Sequence, residues 1–260
     1  MRKLILLLAL MPLLTGANLV ATDVTFREGS NYVDYCQDDS TVLCLRMNDS
    51  DDGVLIDDSN TQTDPFVATN GAIYTASGYE GGGYTFDGTN DRLDGPADVG
   101  VFDYTNTDSF SMGAWFKSGG DSERQSIFNK RNSGSTAQGV LFWMETTGVF
   151  WCQLSDGTTT KSTTSTTTGM DDDTWNHVVC TVDNSTETLT MYINGFSEDT
   201  DDTTGHGSYS SNRKMRIGDG NVDVTGSSLR EWKGELDEIF IIERALTSDE
   251  VLDIYRNGLR

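Results

Sequence analysis

The sequence predicts an all-β fold of many short strands, with one short helix near the C-terminus. Three observations predict it. Apolar residues recur with period two, as in Phe110-Ser-Met112-Gly-Ala114-Trp-Phe116, the pattern of a half-buried strand. Glycine is abundant (27) and proline scarce (3), and Gly, Asn and Asp punctuate the apolar runs. Beyond the extreme N-terminus a single segment carries helical spacing. Many short strands joined by such turns mean a sandwich or a barrel.

The elements follow in order. Arg2 and Lys3, the apolar run Leu4 to Leu14, and the small residues Thr15-Gly16-Ala17 have the layout of a secretory signal peptide, cleaved near Ala17. Residues 18–40 read as a weakly structured lead-in, and 41–260 as the folded domain. Val140 to Met144 and Val149 to Leu154 are strands around the turn Glu145-Thr-Thr-Gly148. Thr158 to Gly169 is almost wholly Thr and Ser, suiting an exposed edge strand near Thr159–Thr163 and then a loop. Trp175 to Val182 and Thr188 to Ile193 flank the polar loop Asp183 to Glu187, and Asn194-Gly195 ends the second strand. Lys214 to Ile217 and Leu236 to Ile242 are further strands. Thr247-Ser-Asp-Glu250 is a capping box, after which Val251, Ile254 and Tyr255 recur at helical spacing and Gly258 closes the helix. This helix is expected to pack against one end of the β structure.

Composition narrows the function. The formal net charge is −23, and loss of Arg2 and Lys3 with the leader makes it −25. Such a chain repels nucleic acid and anionic membranes. No second apolar stretch approaches about 18 residues, so no membrane insertion is expected. The acids cluster at Asp49, Asp51 and Asp52, at Asp57 and Asp58, at Asp171 to Asp173, and at Glu198, Asp199, Asp201 and Asp202. Solvated surface and divalent-cation binding are the two readings of such clusters. Cys36, Cys44, Cys152 and Cys180 are an even set in an exported chain, which suggests two disulfides. Three connectivities exist, and proximity favours Cys36–Cys44 with Cys152–Cys180. The sequons at Asn48 and Asn184 matter only where the source glycosylates them.

Three segments stand in order along the chain: Gly83-Tyr-Thr-Phe-Asp87-Gly-Thr-Asn90-Asp91-Arg-Leu93; Trp175-Asn-His177-Val-Val-Cys-Thr-Val-Asp183 with Leu189-Thr-Met-Tyr-Ile-Asn194-Gly195; and Gly234-Glu-Leu-Asp237-Glu-Ile239 with Arg244-Ala-Leu-Thr247. Together they resemble the laminin-G-like, concanavalin A-like jelly-roll family. Leu43 to Asn48, Val54 to Ser59 and Ser109 to Lys117 agree with them. The resemblance covers roughly residues 40–258. It implies two antiparallel sheets packed face to face, of about a dozen strands.

The resemblance also implies calcium between the turn after the first motif and the strand of the third, with Asp87, Asn90, Asp91 and Asp237 as ligands and Glu238 and Glu235 behind them. Carboxylate and amide oxygens suit that ion, although Asp also caps turns through backbone amides. It makes His177 a structural hydrogen-bonding residue. A glycan partner would need aromatics to stack on its rings. Trp143, Trp151, Tyr209 and Trp232 are the candidates, while Trp115 and Trp175 read as core.

A catalytic role is not expected. Some glucanases of the family carry E-x-D-x-E on one strand, whose period of two aims all three carboxylates into the cleft. Here Glu235 and Asp237 match, but the third position is Ile239, and Glu238 should point to the opposite face. No G-x-S-x-G elbow is present. The expectation is a secreted binding module for glycan or extracellular protein. A self-associating structural subunit is the alternative, and a degenerate glycan-processing enzyme the third reading.

Overall fold

The computed structural model describes residues 33–48, 53–60, 65–96, 100, 102–120, 123–132, 137–219 and 229–259. The leader and most of the lead-in lie outside these residues, as do Asp49, Asp51 and Asp52. Among them are two sheets. The first holds β14 (Phe196–Asp202), β13 (Thr188–Ile193), β12 (Trp175–Asp183), β7 (Phe110–Ser118), β17 (Lys233–Ile242), β5 (Gly83–Asp87) and β4 (Ile73–Thr75) in that order, with β1 (Thr41–Leu45) also paired to β17. The second runs β11 (Thr160–Thr164), β10 (Phe150–Ser155), β9 (Gly139–Met144), β8 (Arg124–Arg131), β15 (Arg216–Ile217), β6 (Arg92–Asp94), β3 (Phe66–Thr69) and β2 (Val54–Leu55). There β16 (Leu229–Arg230) adds to β8 in parallel, and every other pairing is antiparallel.

The sheets pack face to face. Their inward residues, among them Phe116, Val178 and Ile241 from the first sheet and Phe128, Phe142 and Phe150 from the second, form one buried cluster. Each such side chain contributes roughly 1.5–3 kcal/mol by leaving water. Cys152 on β10 is bonded to Cys180 on β12, so one disulfide crosses the core between sheets, while Cys36–Cys44 ties the short 3₁₀ turn Tyr35–Gln37 to β1.

Local signals decide the turns. Asn194 (φ 49°) and Gly195 (φ 84°) adopt the paired left-handed geometry that a two-residue hairpin loop needs. Asn194 Oδ1 also accepts from His177 N–H at 2.8 Å. The helix α1 (Ser248–Asn257) begins with the expected capping box, Thr247 and Glu250 satisfying each other's backbone amides. Its position differs from expectation. Val251, Ile254 and Leu246 bury against Val179, Tyr192, Phe240 and Ile242, so the helix covers the outer face of the first sheet rather than an end. The reason lies in β12 and β17, whose near-continuous apolar runs require cover on both faces.

The acidic run of β14 and the Thr-rich β11 belong to opposite sheets at one edge of the sandwich. Asp199 Oδ2 accepts from Thr164 N (3.0 Å) and Thr163 Oγ1 (2.9 Å), Glu198 Oε2 accepts from the backbone N–H groups of Thr166 (2.7 Å) and Thr167 (2.9 Å), and Asp201 accepts from Ser162 N (3.1 Å). The carboxylates thus occupy N–H groups that an exposed edge would otherwise offer to another chain.

Candidate functional site

Alternation along the strands sorts the second sheet into an inner and an outer face. Val140, Phe142, Met144, Phe150, Cys152 and Leu154 enter the core, which leaves Leu141, Trp143, Trp151 and Gln153 outside. The register sets Trp143 directly opposite Trp151, and Leu141 opposite Gln153. The two indoles stack, with ring centroids 5.5 Å apart and an interplanar angle of 16°. Trp143 is the lower partner, 6% exposed, and donates Nε1–H to Glu145 Oε1 at 3.2 Å. Glu145 is in turn held by Arg124 at 2.7 Å. Trp151 remains half-buried.

Polar groups adjoin the indoles. On β8, Asn129 lies across from Leu141, and Arg131 across from Gly139. A Cβ at Gly139 (φ 136°) would lie 2.1 Å from Lys130 O, so only glycine fits there. Arg131 reaches beyond β9, and its Nη1 donates to Gln153 Oε1 on β10 at 3.1 Å. Arg131 Nε and Asn129 Oδ1 are both buried without a hydrogen-bond partner. Burial lowers the Arg131 pKa from its usual value. Beyond Asn129, Arg216 is neutralised by Asp94 (3.1 Å) and Asp219 (2.7 Å). An aromatic surface beside directed donors and acceptors is the chemistry that a sugar ring and its substituents require.

The remaining sequence-derived aromatics lie elsewhere. Trp232 is fully buried in the intersheet core, 5.8 Å from Phe116 and 6.4 Å from Phe150, because its backbone N–H is tied to Gly218 O at 2.8 Å just before β17. Tyr209 is 4% exposed in the same cluster, and burial raises its hydroxyl pKa to about 12. Neither can stack on a ligand. Trp115, expected in the core, is buried at 3% exposure, beneath Tyr79, which stacks on it at 3.4 Å on the outer side of the first sheet, whereas Trp175, also expected in the core, is only half-buried and meets Tyr79 edge-on at 6.0 Å.

His177 is fully buried among Trp115, Phe240 and Tyr255. Neither ring nitrogen has a hydrogen-bond partner, and desolvation depresses its pKa to about 3. The imidazole therefore packs as an aromatic ring, and the hydrogen bonds of this residue are those of its backbone to Asn194.

The four expected calcium ligands do not converge. Lys233 faces Asp87 in the register of β17 with β5, and Leu236 faces Tyr84, so Asp237 lies at the other end of β5 from Asp87, roughly 13 Å away by strand rise. Asp87 Oδ1 accepts from Thr89 N (2.8 Å), Asp91 Oδ2 accepts from Asp87 N (2.8 Å), and the Asn90 carbonyl accepts from Asn70 Nδ2 (3.3 Å), so these residues build a turn. Glu235 is paired with Lys117 at 3.0 Å. Among the described residues no three His, Cys, Asp or Glu side chains are grouped to hold a metal.

Asp237 stands in a different setting. A bulge interrupts β17 after it, with Glu238 left-handed at φ 48°. The bulge returns Glu238 to the side of Asp237 instead of the opposite face. Asp237 accepts from Glu80 N (2.9 Å) and Glu238 N (2.8 Å), and Glu238 accepts from Leu259 N (3.1 Å). Burial together with the neighbouring Glu238 carboxylate pushes Asp237 up to about 9, and burial pushes Glu238 up to about 7. A cleft of about 270 Å³ beside them is lined by Asp34, Arg46, Asn48, Glu80 and Glu238.

Two facing antiparallel sheets with one short capped helix define the class of antiparallel β-sandwiches. The chain belongs to the concanavalin A-like lectin/glucanases superfamily, whose laminin-G model matches residues 90–252. A comparison with curated proteins finds no match. Among solved structures, the fold is similar to the binding domain of Paraclostridial Mosquitocidal Protein 1 (TM-score 0.63, 15% identity, 84% of this chain and 52% of that one). It is also similar to the ligand binding domain of botulinum neurotoxin serotype D in complex with N-acetylneuraminic acid (0.61, 15%, 84% and 50%). A third is the binding domain of botulinum neurotoxin DC in complex with rat synaptotagmin II (0.54, 14%, 85% and 52%). The chain spans about half the length of the solved chains it matches.

Proposed function

We propose that this chain is an exported, non-catalytic binding module for carbohydrate or an extracellular glycoconjugate, with calcium stabilising the fold or assisting binding. The observation that carries the proposal is the stacked Trp143–Trp151 pair on the outer face of the second sheet, next to Gln153, Asn129 and Arg131. Relatives in fold support it, since one was solved with N-acetylneuraminic acid bound and another with a protein partner. A non-catalytic role is supported by Ile239 in the third position of the glucanase pattern, and by Asp237 and Glu238, which are buried and engaged with backbone amides. Export is supported by the two disulfides and by the signal-peptide pattern.

The calcium part of the proposal rests on Asp237 and Glu238. Two adjacent buried carboxylates are costly to ionise, Arg46 in the lining of the neighbouring cleft offsets part of that cost at Glu238, and a further cation in the cleft would offset more of it. The test is a glycan array probed with the mature protein in millimolar calcium and again in EDTA, with Trp151→Ala alongside. Binding to a defined sugar class, lost about tenfold or more in Trp151→Ala, is the expected result. Loss in EDTA would give calcium a part in binding, whereas binding indifferent to EDTA would leave it at most structural. Undiminished binding by Trp151→Ala would remove this face from the reading. No binding under either condition would sink the glycan reading and favour a protein partner or self-assembly.

A further inference from the structure

We infer that the outer face of the second sheet selects acidic saccharides, with Arg131 receiving the carboxylate or sulfate group. The inference rests on the carbohydrate reading above and adds to it the class of ligand. Among the described residues, the other arginines on this face are already neutralised. Arg124 is held by Glu145, Arg92 by Asp94, and Arg216 by Asp94 and Asp219. Arg131 differs, for its one hydrogen bond goes to a neutral amide oxygen, Gln153 Oε1, and no carboxylate pairs with it among the described residues. This is notable in a chain with 41 acidic and 18 basic residues, where a carboxylate partner is statistically easy to supply.

The Nε–H of Arg131 is buried and bonded to nothing, as is the carbonyl oxygen of Asn129, a side chain only 1% exposed. Buried donors and acceptors without partners are rare and call for an explanation. A guanidinium with an open edge presents a planar fork of N–H donors, whose geometry matches a carboxylate or sulfate. Gly139 supports the arrangement, because the β9 residue directly across from Arg131 has no side chain and the guanidinium can pass over it, beside Leu141, to Gln153 on β10. Gln153 and Trp151 are two residues apart on one face of β10, roughly 7 Å along the strand. A pyranose stacked on Trp151 would place a ring carboxylate within reach of Arg131.

The inference is tested with matched ligand pairs, titrating the full chain with uronate, sialylated and sulfated oligosaccharides and with the neutral parent of each. At least one acidic member should bind about tenfold or more tightly than its parent. Arg131→Gln should erase that preference, so that within the variant the acidic member binds no more tightly than its neutral parent, and Arg131→Lys should retain part of it, because the charge remains but the fork is lost. Thermal melts of both variants confirm that they fold, and Arg131→Lys still decides the matter where Arg131→Gln does not. Equal binding of acidic and neutral members by the unaltered chain would overturn the inference and leave the carbohydrate reading intact. An acidic preference that survives in Arg131→Gln would also overturn it. Binding of no oligosaccharide at all would overturn both.

Discussion

His177 shows how a residue with an obvious chemical reading can hold a purely steric post. In the unfolded chain its pKa is near 6.5, and in the fold burial depresses it to about 3. A base whose folded pKa is depressed adds stability above its unfolded pKa, and that stability is lost as the pH falls below it. Between pH 6.5 and pH 5 the loss amounts to about 2 kcal/mol. Asp237 changes in the opposite sense over the same range, so the test is a difference: the denaturant midpoint of His177→Phe relative to the parent chain should rise as the pH falls from 6.5 to 5, and a constant difference would refute the assignment. Asp237 works in the opposite sense. Its folded pKa is raised to about 9, so its contribution is greatest in acid and fades as the pH rises toward that value. Melting temperatures taken without calcium should thus improve from pH 8 to pH 5 through this group, and calcium should raise them more at pH 8 than at pH 5. Asp237→Asn should abolish the calcium increment, and an increment surviving in that variant would place the cation elsewhere. The motif around Asp237 singled it out in the sequence. Its true neighbours were not, because the bulge at Glu238 reverses the face that simple alternation assigns.

At the scale of elements, the hairpins were the most legible features. The loop Glu145 to Gly148 separates strands whose register sets the two indoles face to face, and Asn194-Gly195 turns as its composition demands. The biased segment Thr158 to Gly169 and the acids of β14 were visible only as two separate compositional oddities. The structure makes them one device, in which carboxylates from one sheet accept hydrogen bonds from the edge strand of the other. Hydrogen bonding to Thr164 and Thr163 holds Asp199 below the usual carboxylate range. A group depressed in this way adds stability above its unfolded pKa and loses it as the pH falls. Asp199→Ala should cost about 1 kcal/mol, the usual worth of such a bond at a partly exposed site, and should speed amide exchange at Thr164. Exchange unchanged at that position would show the edge to be held by other means.

For the whole molecule, the cross-core disulfide is the connection with the largest expected effect. Cys152 and Cys180 stand 28 residues apart and join the two sheets through the core cluster. Closing a loop of that size is worth about 3.6 kcal/mol. Replacing both residues by Ala should lower stability in denaturant by about that amount while preserving the circular-dichroism signature of the sheets, and a loss below about 1 kcal/mol would argue against a role as the main staple. Taken by itself, the sequence determined the all-β class, the places of the hairpins, the capped helix and the motifs of the family, because period, turn chemistry and caps act between residues close along the chain. It also named Trp143 and Trp151. Only the tertiary structure decided that Trp232 and Tyr209 are core, that the helix covers a sheet face, that Asp237 on β17 lies beside the end of β5 opposite to Asp87, and that Arg131 reaches the tryptophan face across Gly139. Those outcomes depend on the register of paired strands and on the joint packing of two sheets and a helix, which leave no local mark on the chain.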